Sequence, residues 1–245
     1  MRQVTEDRED TVRRALDAVI DPELDEPITE LGFVHSVMVT GGRDVEVHLR
    51  LPTSFCAPNF AYLMASDAKD VLVALDWTHD VVVELDDHHD SDIINAGLAA
   101  DAGYRGTFGR EAEEDLDELR MTFLRKAHMA AMERCLTALL RADPGREVTS
   151  LGRVVLRELP YDDATRALLR RRCAIGLSID GDALVMVDHR GEGYAADDVP
   201  LALRRARSTR ISMDGNAHFC RGLLRTRYPD TEQQQLTLVG KETQS

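Results

Sequence analysis

Four cysteines and eight histidines occur among the 245 residues, and one cysteine stands where the local pattern favours chemistry. Cys56 lies in the run Leu51-Pro52-Thr53-Ser54-Phe55-Cys56-Ala57-Pro58, where an alternating pattern stops and a helical one begins. Pro58, with its fixed φ and missing N–H, suits the first turn of a helix, so Cys56 falls at a helix N-terminus. Unpaired N–H groups and the positive end of the dipole favour a thiolate there by about 0.3–1 kcal/mol. The Cys56 sulfur is therefore the leading candidate for a reactive or metal-binding atom, its alternative being a small buried hydrophobe at a loop.

Other residues of the right chemical types are less well spaced. Asp21-Pro22-Glu23-Leu24-Asp25-Glu26 sets four carboxylates in six positions, enough for a hard cation or a basic partner, but without EF-hand spacing and equally readable as a solvated acidic loop. Asp86-Asp87-His88-His89-Asp90 has good ligand types, yet neighbours on extended backbone point to opposite sides, and the run reads as an exposed domain exit. Near the other end, His218 and Cys220 are candidates for a metal site with Cys173 or Cys135. At i,i+2 they do not share a helix face. His128, Glu133, Glu114 and Glu118 suggest a di-iron site only superficially, because this half has no Glu-x-x-His pair; buried cysteines and solvated carboxylates are the plainer reading.

The elements around Cys56 follow from periodicity. A helix is expected from Glu9 to Ile20, with Val12, Leu16, Val19 and Ile20 on one side, stopping at Asp21-Pro22. Strands are expected over Phe33–Thr40 and Asp44–Leu51, with Val37, Val39, Val45, Val47, Leu49 and Leu51 on one face and Gly41-Gly42 turning between them. A helix runs on to Leu75, and Val81–Leu85 supplies a third strand. The order helix, strand, strand, helix, strand describes a small α+β domain over residues 1–90.

Residues 91–109 read as a linker with a short helix at Ile93–Leu98 and a connector whose Tyr104 and Phe108 are placed to dock onto the first domain. Residues 110–230 read as a mainly α-helical C-terminal domain with a β-hairpin. It contains a long helix from Arg110 to Arg141, shorter helices near Ser150–Leu159 and Tyr161–Cys173, and a hairpin pairing Ile175–Ile179 with Leu184–Asp188. Helices near Val199–Arg207 and Ala217–Arg225 complete it. The polar stretch 231–245 reads as a mobile tail.

Composition narrows the function. A formal net charge of −14 argues against sequence-independent binding of nucleic acid or anionic membrane. Arginine-rich stretches at 153–172 and 204–227 still allow a basic face in the second half. No apolar run approaches a membrane span and no leader pattern opens the chain, so a cytoplasmic protein is expected. The scattered cysteines signal neither a disulfide framework nor a zinc ribbon.

Four motifs in order, Ala18-Val19-Ile20-Asp21-Pro22-Glu23-Leu24, Leu31-Gly32-Phe33-Val34, Leu51-Pro52-Thr53-Ser54-Phe55-Cys56 and Val81-Val82-Val83, resemble the metal-sulfur cluster assembly family that includes the PaaD-like and SufT-like proteins. The resemblance covers about residues 9–88. It implies a role in maturing iron or iron-sulfur proteins, with Cys56 as the recurrent cysteine, Thr53 in the threonine turn, and Asp21 and Glu23 in the acidic element near it. Pro52, Ser54 and Ala57 depart from the usual loop. The implied cargo is transient iron or an iron-sulfur cluster, and the implied partners are a client metalloenzyme, such as an oxygenase, or the assembly machinery. A cluster usually needs four thiolate or imidazole ligands, and one cysteine per domain supplies one. A client or the mate in a homodimer would supply the rest.

On this reading the protein is a non-catalytic accessory factor. The alternatives are a thiol enzyme with Cys56 as nucleophile, for which His35 and His48 on the neighbouring strands are the available bases, and an adaptor that uses no metal.

Overall fold

The computed structural model describes residues 2–109 and 116–229. Glu114, the first residues of the expected long helix and the expected tail over 231–245 lie outside the described residues. The fold is α+β, with a helix and strands first and a mostly helical region after them. The described residues group into two compact units. One takes the chain up to Leu116 together with Asn216 onward, and the other takes Asp117–Gly215.

The first unit is built on a three-stranded sheet. β3 (Val34–Thr40) and β4 (Asp44–Arg50) form an antiparallel hairpin, and β5 (Val81–Asp86) adds parallel to β4. Gly41 and Gly42 turn the hairpin with φ of 55° and 73°, a region where side chains are disfavoured. The period of two works as expected. Val37, Val39, Val45, Val47, Leu49, Val83 and Leu85 are buried on one face, while Glu46, His48, Arg50 and Glu84 are half-buried on the other.

α1 (Arg2–Leu16) and α2 (Pro58–Val73) cover the apolar face, α1 through Val12 and Leu16 and α2 through Ala61, Met64, Ala65, Ala68 and Leu72. α1 ends at Leu16, four residues before the expected stop, because Ile20–Asp21 (β1) pairs with Glu26–Pro27 (β2) in a two-stranded clip. The Ile28 N–H bonds the Val19 carbonyl at 3.0 Å and holds that clip closed.

The expected linker is structured. α3 (Ser91–Ala99) and α4 (Gly103–Phe108) pack on the same core, and Tyr104 and Phe108 stack against Tyr62 with ring centroids 5.4 and 5.9 Å from it. The two helices meet at Gly97, where an added Cβ would lie 2.1 Å from the Thr107 hydroxyl.

In the second unit, α5 (Leu116–Ala142, from Asp117 onward) and α7 (Val199–Arg227, up to Gly215) are joined by a buried ion network. The fully buried Glu133 accepts from Thr137 Oγ1 at 2.7 Å, Arg207 Nε at 3.0 Å and Arg210 Nε at 2.5 Å. Arg210 and Arg134 both reach Asp214 at 2.7 Å. Short 3-10 turns at Val148–Arg153 and Leu156–Glu158 and α6 (Asp163–Ala174), capped by the Asp162 side chain on the Thr165 N–H, complete the unit.

Two expectations for the helical half fail. The hairpin over 175–188 is absent among the described strands because the buried Arg172 takes its carbonyls, donating to Ser178 at 2.7 Å and Leu184 at 2.9 Å. What remains there is a pair of isolated bridges, Val155 to Leu184 and Val187 to Gly193. The two separate helices near Val199–Arg207 and Ala217–Arg225 are one continuous helix, α7, whose residues from Asn216 onward group with the first unit. The Arg210–Asp214 pair at i,i+4 carries the helix through Gly215.

Candidate functional site: the Cys56 loop

The Cys56 loop leaves the buried end of β4. Leu51 and Pro52 are buried and the Arg50 N–H bonds the Phe33 carbonyl at 2.8 Å, so the chain enters the loop from a fixed point. Thr53 folds the loop on itself. Its hydroxyl accepts from the Phe55 N–H at 3.2 Å and lies 3.5 Å from the Cys56 sulfur. α2 then starts at Pro58 with Ala57 as the cap residue, so Cys56 stands one residue before the cap.

The opposite wall is the segment after β5, where the expected exposed exit needs correction. His88 is only 7% exposed. Its Nε2 bonds the Cys56 carbonyl at 2.8 Å while its Nδ1 accepts the Asp90 N–H at 3.1 Å, an arrangement that selects the tautomer with hydrogen on Nε2. The His89 N–H bonds the Ser54 carbonyl at 2.9 Å, and the His89 ring lies 5.8 Å from that of the exposed Phe55. His88 and His89 are the backstop that holds the cysteine loop, while Asp86, at the start of the run, lies with His48 and Glu84 in a group whose ligand atoms are within 4.8 Å of one another. Periodicity does not reveal this, because the role belongs to one ring reaching across 32 residues.

The acidic element is equally ordered. Asp21 is 7% exposed and its Oδ1 accepts the N–H groups of Glu23 at 2.8 Å and Leu24 at 2.9 Å. Burial raises its carboxyl to about 6, against the two N–H bonds that lower it and together with the Glu23 charge. Cys220, on α7, connects this element with the loop. Its thiol is pushed up to about 11 by burial and then by Asp21, Cys56 and Glu23, so all three lie within electrostatic reach of it. Cys56 and Cys220 are both half-buried against the same apolar core.

Thr53 and Cys56 are thus in contact, and Asp21, Glu23 and Cys56 share Cys220 as a neighbour. Among the described residues, the groups of three ligand types whose ligand atoms lie within 4.8 Å of one another are elsewhere, at Asp44, His79 and Asp80 and at His48, Glu84 and Asp86. Cys220 packs on the core of the first unit from α7, whereas His218 is exposed and Cys135 and Cys173 belong to the second unit. Cys135 is buried there, with burial raising its thiol to about 11, and Cys173 is exposed.

Of the histidines expected as bases, His48 is held between Asp86 and Glu46 at 2.9 Å each, on the open face of the sheet. Burial lowers the pKa of His35. Among the described residues no histidine is bonded to the Cys56 sulfur.

The segment with this strand order, the acidic clip and the cysteine loop before the second helix is similar to an iron-sulfur cluster assembly domain. Residues 9–85 match the family described as iron-sulfur cluster assembly protein, about a third of the chain. Among curated proteins none matches. A solved structure titled as the crystal structure of a domain of unknown function, DUF59, from Bacillus anthracis is similar at 23% identity over 43% of this chain and 100% of its own length, with a TM-score of 0.33.

Proposed function

We propose that the chain is an accessory factor for iron-sulfur protein maturation, handling iron or a cluster through Cys56 and passing it to a client metalloenzyme. The observation that supports this most is the presentation of the thiol. Within a domain matched to the assembly family, the loop backbone is tied down by His88 and His89 while the Cys56 side chain stays half-exposed beside a threonine hydroxyl. A held but accessible soft donor suits cargo that must be taken up and released. Asp21 and Glu23 are the hard donors nearby, and the helical half would recognise the client, an oxygenase being the suggestion of family analogy alone. Few ligands per chain make shared cargo, with the client or a second copy, the expected mode. The cytoplasm, where thiols stay reduced, is the compartment this chemistry needs.

A nucleophilic thiol enzyme is disfavoured because such a cysteine needs an adjacent base, and both ring nitrogens of His88 are committed to backbone groups. The test is anaerobic loading with Fe(II) and sulfide, desalting, and comparison of wild type with Cys56→Ser by ultraviolet-visible and Mössbauer spectra. Iron or cluster retained by wild type alone supports the proposal. Equal retention, or none in either, overturns it.

A further inference from the structure

We propose that the open face of the sheet carries a divalent-metal site separate from the Cys56 loop, in which His48 Nδ1, Glu84 and Asp86 bind an ion of borderline softness such as zinc. The site does not depend on the functional reading above.

Strand register sets the frame. Glu46, His48 and Arg50 on β4 and Glu84 and Asp86 on β5 are alternate residues of adjacent strands, so they share the face opposite the apolar core. The parallel ladder places His48 beside Glu84 and Arg50 beside Asp86. One ligand atom each from His48, Glu84 and Asp86 lies within 4.8 Å of the other two, and all three residues are half-buried. His48 Nδ1 stands 2.9 Å from Asp86 Oδ1. Two donors held at right angles on one ion by bonds of about 2.0–2.1 Å stand about 2.9 Å apart, so this pair already has the spacing of neighbouring ligands. Because the donors sit on paired strands, no loop has to order for an ion to bind.

Proton counting at His48 agrees with a cation. Its Nε2 lies 2.9 Å from Glu46 Oε1, so both ring nitrogens face carboxylate oxygens, which when ionised only accept. A neutral ring has one proton to give, and the other nitrogen then turns its lone pair on a carboxylate. A cation between the two relieves this, either a second proton or a metal ion. The proton would serve His48 and Asp86 alone. Glu84, whose carboxylate has no hydrogen bond or ion pair among the described residues, gains a role only with the metal. Glu46 then accepts the Nε2 proton and fixes the tautomer that frees Nδ1, the usual carboxylate–histidine–metal arrangement. Arg50 Nε lies 3.4 Å from the second Asp86 oxygen, Oδ2, and leaves Oδ1 to the ion. One imidazole and two carboxylates, with a fourth position open, are ligands that zinc accepts.

The test is a titration of Zn(II) into the reduced full chain, with the His48 ring nitrogens followed by nitrogen-15 NMR. This readout separates the site from the cysteines and from the exposed group of Asp44, His79 and Asp80. In wild type, Nδ1 should move to a metal-bound shift while Nε2 keeps its proton. Glu84→Gln has no side-chain hydrogen bond to lose, so it should fold as wild type does, yet weaken the Zn(II) response of His48 by about tenfold or more, the size of effect that even an outer-shell partner carries. Cys56→Ser and His79→Ala should leave that response unchanged. A His48 ring that stays doubly protonated throughout the titration overturns the inference, as does a Glu84→Gln response equal to wild type. Loss of the response in Cys56→Ser overturns the separation of the two sites. Failure at His48 leaves the proposed function of Cys56 standing, because the wild-type arm reads no atom of the cysteine loop.

Discussion

His88 illustrates how a single side chain sets the state of the candidate site. Removing it strips the Cys56 carbonyl of its partner, and leaving a buried polar group unmatched costs about 1–3 kcal/mol. His88→Ala should therefore lower the unfolding free energy by that amount and speed alkylation of Cys56, whereas His88→Gln, with an amide N–H able to reach the same carbonyl, should restore part of both. Asp21 makes a second prediction, of opposite sign. Its carboxyl sits near 6 in the folded metal-free protein against 3.8 ordinarily, so between about pH 4 and 6 the native state keeps a proton the unfolded chain has lost. Stability falls as pH rises through that window. Asp21→Asn should gain about 3 kcal/mol at pH 7 in chemical denaturation, a gain that vanishes near pH 4. The placement of Cys56 and Thr53 in a turn before α2 was legible in the sequence, since a cysteine between a strand and a proline-started helix is a local signal. The contact of His88 with the Cys56 carbonyl was not, because it depends on residues far apart in the chain meeting in space.

Elements were easiest to read where burial is one-sided. The alternation in β4 and the stripe of α2 left little choice, because each buries one face against a single core. Reading failed where tertiary contacts replace local preference. The Asp180-Gly181-Asp182 turn is a good hairpin signal, but the Arg172 guanidinium recruits the flanking carbonyls before strands can use them. The break expected in α7 between Arg207 and Ala217 is bridged by ion pairs at Asp214. Two predictions belong at this scale. Gly97→Ala should push α3 from α4 and cost about 1–3 kcal/mol, because the clash at Thr107 involves its Cβ at 2.8 Å as well as the hydroxyl. In the α5–α7 network, Arg210→Met should cost more than Glu133→Gln. The former leaves a fully buried carboxylate short of a partner, at roughly 3 kcal/mol, while the latter leaves arginines that water can reach. Thermal unfolding of the three variants checks both orders.

At the scale of the molecule the two units carry opposite pH responses. His128, in the second unit, is held near 4 by burial and then by the charge of Arg172. Below about pH 6.5 the unfolded chain binds a proton that the native ring refuses, so stability is lost as pH falls toward 4, by about 3 kcal/mol in all. His128→Leu should flatten this acid loss, monitored by hydrogen exchange within Asp117–Gly215, without altering the Asp21 effect in the first unit.

The placement of Asn216–Arg227 with the first unit has a consequence in time. A ribosome that has finished Leu116 must add a hundred more residues before Asn216 appears, roughly 5–20 s of synthesis at cellular rates. Throughout that interval the sheet and the Cys56 loop exist without the helix whose Arg227 holds the Leu51 and Asp87 carbonyls. A nascent chain therefore passes through a stage in which the segments flanking the Cys56 loop lack that clamp and the loop is held by His88 and His89.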